Sequence, residues 1–396
     1  MTKYLTPTED LNELKINKSI VDIVDYVDNM FKNAIEIASD IHVEPTEFFI
    51  LIRYRKDDFL IIDKIDKEFT SAIITRLKVL SKIKIDENKK PQDKISYYYE
   101  KEKINIDIRL STLPTKYGEK VVMRILKQDN SLISLEALGL YEANLEKVKE
   151  ELKSTYIILV APTGSKSTTL FVLKNFNPLE FNISTLEDPI EYNIDFVNQS
   201  QVRSDIGYTF ASGLRSLVRQ DPDIIMVEIR DKETATLAVE AALTHLVLST
   251  IHTNSASATI QRLINMIEPF LLASAMKMVI SQRLGKRVCP HCRAKAELSE
   301  IEKKKVKEYL PISSNMDVES LQFYEGKCEQ CNTGYRRLAF HEVLVVKEYL
   351  ESLILEKESA SKIEEVAKQN GMITIVQDAL LKALMETTVK EALKLI

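Results

Sequence analysis

Four short apolar stretches follow one another between helix-forming segments: IILV (157–160), NISTLEDPIEY (182–192), DIIMVEIRD (223–231) and HLVLSTIHT (245–253). Each is rich in β-branched residues and has the length of a strand. Strands that are apolar throughout and regularly separated by helices predict a largely parallel sheet covered on both faces, an α/β fold.

The residues before this region read differently. VDIVDYVDNMFKNAIEIASDIHVEP (21–45) carries Ile23, Val27, Met30, Phe31, Ala34 and Ile37 at helical spacing and reads as one amphipathic helix. FFILIRYR (48–55) is strand-like with LIIDKI as its continuation, and FTSAIITRLKVLSKI is a helix. ISYYY and INIDIRLSTL alternate apolar and polar residues, predicting an antiparallel pair. The expected layout is a tail over 1–20, a mixed α/β domain over 21–130 and a linker with a helix over 131–154. Beyond these come a core over 155–285, a cysteine-bracketed insertion over 286–336 and a helical region over 337–396.

A net charge of −5 with 54 basic and 59 acidic residues argues against a surface devoted to nucleic acid. No stretch approaches the ~20 apolar residues of a membrane span, and the polar, acidic start is unlike a signal peptide. The expected location is therefore the cytosol, where structural disulfides are rare and the four cysteines need another explanation. CPHC (289–292) and CEQC (328–331) supply one. Two thiolates at this spacing reach one metal ion, and two such pairs close a tetrahedral Zn²⁺ site from Cys289, Cys292, Cys328 and Cys331. A redox pair would need only one C-x₂-C.

At 162–170, PTGSKSTTL stands between a strand and a helix, the setting of a phosphate-binding loop. In that reading Pro162, Thr163, Gly164, Ser165 and Thr168 line the turn, Lys166 holds the outer phosphates of ATP, and Ser167 reaches Mg²⁺. An ordinary strand-to-helix turn with Ser167 or Thr168 as N-cap uses the same residues.

LSTLPTKYGEKVVMRIL (110–126), PTGSKSTTL, STLEDPIEY (184–192), TFASGLRSLVRQDPDIIMVEIRDKETA (209–235) and ALTHLVLSTIHTNSASATIQRL (242–263) together resemble the type II secretion and type IV pilus assembly ATPases. With SDIHVEP (39–45) and the cysteine pairs, the resemblance covers nearly the whole chain. It implies a PAS-like N-terminal domain, a RecA-like ATPase core, a ring of six copies, and work on an inner-membrane platform protein from the cytoplasmic face. It also implies roles: Glu187 and Asp188 facing the metal and γ-phosphate, and Glu228 polarising the attacking water. His245 and His252 would sense the γ-phosphate, and Arg109, Arg124, Arg215 and Arg230 would stabilise transferring charge. Plainer alternatives are a helix cap for the carboxylates, a polar surface or core residue for each histidine, and a strand-edge salt bridge for Arg109 and Arg124. The four-cysteine element points to the assembly type. The short start implies a reduced far-N-terminal docking module. Rival readings are a scaffold subunit that no longer binds ATP and a DNA-transfer motor of the same superfamily.

The chain departs from the family in one way. Nine glycines in 396 residues is far below the usual ~7%. Family glycines are missing before Pro162, Lys166 and Glu228, between Thr244 and His245, after Asp93, between Met266 and Ile267, and between Arg336 and Arg337. Each is lost as a deletion. A shortened loop cannot follow the same path around a diphosphate, and Pro162 offers no N–H. A residue removed from a strand reverses the facing of every later residue in that strand, which threatens the placement of Glu228 and His245. Drift does not delete one residue type cleanly at scattered sites, so the pattern points to an altered sequence. An intact mass several glycines above 45.3 kDa would show that the native protein carries them.

Overall fold

The computed structural model describes residues 22–56, 58–84, 92–126, 139–140, 142–152, 157–162, 169, 172–190, 193–310, 321–326 and 337–396. The chain divides into two compact units, Met1–Ser131 and Leu132–Ile396.

In the first unit α1 (Ile23–Ile37) starts at Asp22, whose carboxylate accepts from the Val24 and Asp25 N–H groups. Its buried face is Val27, Met30, Phe31, Ala34 and Ile35, with Ile23 and Ile37 partly covered. Burying each larger side chain contributes roughly 1.5–3 kcal/mol. The predicted helix is too long: it stops at Ile37, and IHVEP belongs to β1 (Asp40–Pro45). β2 (Phe49–Lys56) and β3 (Asp58–Asp66) form an antiparallel hairpin instead of the continuous strand expected. Then come α2 (Thr70–Leu80), β4 (Gln92–Tyr99), β5 (Ile104–Thr115) and β6 (Gly118–Leu126). The sheet order is β3-β2-β1-β6-β5-β4, antiparallel throughout. Ile41 and Val43 join the core with α1 and α2, while Asp40, His42 and Glu44 alternate onto the other face.

The second unit opens with α3 (Glu142–Glu151), then β7 (Ile157–Pro162), β8 (Ile183–Glu187) and β9 (Asn198–Gln201). Next are α4 (Phe210–Leu217), β10 (Ile224–Glu228), α5 (Lys232–Ala242), β11 (Leu246–Thr250), α6 (Ala256–Ile264), α7 (Pro269–Ala275) and β12 (Met276–Lys286). β13 (Ala294–Lys295), α8 (Glu300–Tyr309), β14 (Tyr324–Glu325) and β15 (Arg337–Val345) come after them. The chain ends with α9 (Glu348–Leu355), α10 (Ala360–Gln369), α11 (Ile375–Ala383) and α12 (Val389–Leu393). The seven-stranded sheet runs β15-β12-β7-β11-β10-β8-β9. Every pairing is parallel except β12 with β15. The region expected to be helical from 337 therefore begins with a sheet strand, and helix resumes only at Glu348.

Residue alternation sorts the two faces. Ile225, Val227 and Val247 pack with α5, α6 and α7. Ile224, Met226, Leu246 and Leu248 pack with Val148 of α3 and with Val172 and Leu173, which come after the candidate loop. Glycine scarcity shows in the turns: Lys82, Lys103, Phe196, Asp221 and Lys357 all hold positive φ. The left-handed region costs an L-residue roughly 1–2 kcal/mol. One retained glycine is required by contact, since a Cβ at Gly285 would lie 2.3 Å from the Phe340 ring.

Candidate active site

Parallel strands bring their carboxyl ends to one edge, and the register says what meets there. Glu228 ends β10 opposite Thr250 of β11. Leu186 of β8 lies opposite Val227, which sets Glu187 beside Glu228. Thr250 is in turn opposite Val160 of β7, two residues before Pro162. Glu187, Glu228 and Thr250 thus form one row across three strands, on the face that carries Val172 and Leu173. Strands are ~4.8 Å apart, so β7 delivers the start of the candidate loop about 10 Å from Glu228. Open α/β sheets bind ligands at this edge. β10 alternates regularly up to Glu228, which therefore faces the side opposite Val227.

The row is buried and charged. Glu187 is 1% and Glu228 4% exposed. Oε1 of Glu187 accepts from Thr185 Oγ1 at 2.7 Å and Gln199 Nε2 at 2.9 Å. Arg230 joins the two acidic motifs: Nη2 donates to Glu228 Oε2 at 2.9 Å and Nη1 to Asp188 Oδ2 at 2.7 Å. The hydrogen bond to Glu228 raises the guanidinium pKa against the opposing effect of burial, and Asp188 adds to the rise. Phe210 of α4 places its ring 5.0 Å from the same guanidinium. His252 Nε2 stands 3.6 Å from Glu228 Oε1 on an otherwise exposed ring. Its backbone carbonyl accepts from Arg262 at 2.8 Å.

Two other candidates of the second unit lie elsewhere in it. His245 precedes β11 and sits at the opposite end of the strand from Thr250 and His252, its Nδ1 within 3.0 Å of the Ala241 carbonyl. A strand of this length spans ~13 Å, which separates His245 from the strand end that carries Thr250. Arg215 pairs with Glu233, both half-exposed, on the surface between α4 and α5. Arg109 and Arg124 belong to the first unit, as register partners on β5 and β6. Arg124 donates to Asp40 at 2.9 Å. Burial raises the Asp40 carboxyl, but bonds from Ser39 and Arg124 outweigh it and hold it below the usual range. Thr163, Gly164, Ser165, Lys166, Ser167 and Thr168 lie outside the described residues, and Pro162 is the last residue of β7.

Sequence reasoning missed Thr250, Gln199 and Asp231. Asp231 caps α5, accepting from Thr234 N–H at 2.8 Å. A polar residue ending an apolar strand is the signal that would have found Thr250.

Cys289 is buried and Cys292 partly so, while Cys328 and Cys331 lie outside the described residues. β13 pairs with β14, with Ala294 opposite Glu325, which draws the chain after Cys292 alongside the chain leading to Cys328. A Cβ at Gly326 would come 2.9 Å from Cys292 Sγ, so only glycine allows that approach.

These features define an α/β protein with an acidic, arginine-bridged edge at the carboxyl ends of its parallel strands. A profile of the type II/IV secretion system proteins matches residues 17–394, and the chain belongs to that family. It is 44% identical over 370 residues to the type IV pilus assembly ATPase PilB of Thermus thermophilus, covering 90% of this chain and 41% of that protein. It is 39% identical to the type II secretion system protein E of Aeromonas hydrophila, covering all of this chain and 79% of that one. PilB of Myxococcus xanthus is also 39% identical, over 97% of this chain and 69% of its own length. The Aeromonas match runs over 407 positions against 396 residues here, so this chain lacks residues that its relative has. The pilus retraction motor PilT, solved with bound ADP, shares the fold with a TM-score of 0.61 at 24% identity over 93% of this chain and 96% of its own. The ATPase DotB of Legionella pneumophila gives 0.64 at 19% over 93% and 95%.

Proposed function

We propose that this chain is an ATP-hydrolysing motor for assembly of a type IV pilus, competence pseudopilus or type II secretion pseudopilus. The row of Glu187, Glu228 and Thr250 at the edge where β7 delivers the loop carries this reading. Within that row Glu187 Oε2 and Thr250 Oγ1 are enclosed and have no hydrogen-bond partner among the described residues. Buried polar atoms are normally satisfied, and a carboxylate oxygen takes a cation or a donor. The site therefore fits Mg-ATP, with Lys166 on the phosphates and Ser167 and Glu187 toward the metal. Ser167 and Glu187 would hold Mg²⁺, which would supply charge neutralisation at the phosphates. Glu228 takes the proton of the attacking water, Arg230 fixes that carboxylate against Asp188, and His252 sits on its other oxygen.

Zn²⁺ at Cys289, Cys292, Cys328 and Cys331 would close the insertion, as the β13–β14 pairing supports. Arg215 lies away from the Glu228 edge within the second unit, and it, with Arg109 and Arg124 of the first unit, would contact a nucleotide of a neighbouring copy. This fits a homohexamer driving an inner-membrane platform protein from the cytoplasmic side, with no nucleic acid. Among the described residues no helix is long and apolar enough to cross a membrane.

One observation favours a second reading, a scaffold with an impaired loop: β7 stays in the sheet through Pro162, opposite Gln282, leaving few residues to wrap a phosphate. An ATP hydrolysis assay on this chain and on one with glycines restored before Pro162 and Lys166 separates the two. Activity gained only on restoration supports an ancestral motor with an impaired loop. Inactivity of both, in correctly folded protein, overturns the motor.

A further inference from the structure

A buried carboxylate far in sequence from the acidic motifs bears on the loop that carries His252. Glu342 of β15 is 4% exposed. Its Oε1 accepts from the Ala256 N–H, the first residue of α6, at 2.9 Å, and its Oε2 from the Ile375 N–H, the first of α11, at 3.4 Å. One side chain thus satisfies an orphan donor on each of two helix starts, and both dipoles favour its negative charge. Burial pushes this carboxyl above its ordinary range, and the two N–H groups draw it part of the way back.

The α6 start matters because of the segment leading into it. Only Ile251 to Ser255 separate Thr250 of the acidic row from α6, and His252 is in that segment. Ser255 caps the helix by accepting from Ala258 N–H at 3.1 Å, and Asn254 accepts from Arg283 of β12 at 3.2 Å. The strand end, Ser255, Asn254 and Glu342 fix the segment from both sides. β15 is held firmly for this task. The His341 N–H donates to Asp378 of α11 at 2.8 Å, and Lys382 Nζ donates to Asp378 at 2.6 Å and to the Ala339 carbonyl at 2.8 Å.

We propose that Glu342 is a positioning residue for hydrolysis: it pins the start of α6 and thereby holds His252 against Glu228. This rests on the motor reading above. The Ile251–Ser255 segment is short and tied at both ends, so freeing one end lets the imidazole leave a 3.6 Å contact. Binding groups on the phosphates are not touched, so turnover and affinity should separate.

The test uses the full chain with the loop glycines restored, in Glu342→Gln, Ser255→Ala and Thr374→Ala forms. Thr374 caps α11, so its change weakens that helix without touching the Ala256 contact of Glu342. Glu342→Gln and Ser255→Ala should each lower kcat about tenfold while KM for ATP moves less than about twofold. Hydrogen exchange at Ala256–Ala258 should quicken about tenfold in both. Thr374→Ala should lower Tm and leave kcat and this exchange unchanged. Equal loss of kcat in Thr374→Ala, or unaltered exchange at Ala256–Ala258 in Glu342→Gln, overturns the proposal. Should the parent chain fail to hydrolyse ATP, the motor reading falls, and the exchange measurement still decides whether Glu342 pins α6.

Discussion

Replacing Arg230 by methionine asks how much the acidic edge depends on one guanidinium. The Glu228 side chain is 5% and that of Arg230 42% exposed. Breaking a fully buried ion pair costs about 3–5 kcal/mol, because one charge is left uncompensated. An exposed pair contributes less than ~1 kcal/mol. This pair has one partner in each regime, and the Arg230 bonds to Asp188 involve a 40% exposed carboxylate that water can reclaim. The expected cost of Arg230→Met is therefore about 2 kcal/mol, arising mostly at Glu228. Urea unfolding at pH 7 of Arg230→Met, Glu228→Gln and the double variant measures it. The double variant leaves no unpaired charge at position 228, so it should be more stable than Arg230→Met alone, a coupling of about 1–2 kcal/mol. A cost below ~0.5 kcal/mol, or strict additivity, would refute the reasoning that Arg230 compensates a buried Glu228.

Three further outcomes rest on named groups. His341 is fully buried with neither ring nitrogen bonded among the described residues, and burial, aided by Lys382, lowers its pKa to about 3. The folded state holds it neutral while the unfolded chain protonates near 6.5. Stability is thus complete above about pH 6.5 and falls toward about pH 3, by up to about 1.4 kcal/mol per unit from this group. His341→Leu should flatten that slope against the parent in acid unfolding, and an unchanged slope contradicts it. Purified protein should hold one zinc per chain by elemental analysis, and chelation should remove it and lower Tm; a metal-free chain from zinc-replete medium contradicts the four-cysteine site. Asp231→Ala should cost about 1 kcal/mol through loss of the α5 cap, read by thermal unfolding, and no loss would mean the cap contributes nothing.

What the sequence made legible was local. Strand and helix period exposed β7, β8, β10 and β11 because each is apolar along its length, and the motif order placed Glu187, Asp188 and Glu228 at strand ends. β15 escaped notice because RLAFHEVLV carries His341 and Glu342 in its middle, and the burial of Glu342 is compensated by the starts of α6 and α11, far off in sequence. β1 was hidden because helix and strand adjoin within a few residues, and boundaries are set by tertiary pairing with β2 and β6. The bridge made by Arg230 needs the β8–β10 register to be known. His245 and His252 look equivalent as a pair of histidines, yet a strand's length sends them to opposite edges.

The claim at the centre is that Glu228, in this row, performs the proton transfer of ATP hydrolysis. Single-turnover hydrolysis of Mg-ATP by the glycine-restored chain and its Glu228→Gln variant tests it most directly. The variant should bind ATP as the parent does and hydrolyse it at least about 100-fold more slowly; hydrolysis at the parental rate would contradict the account.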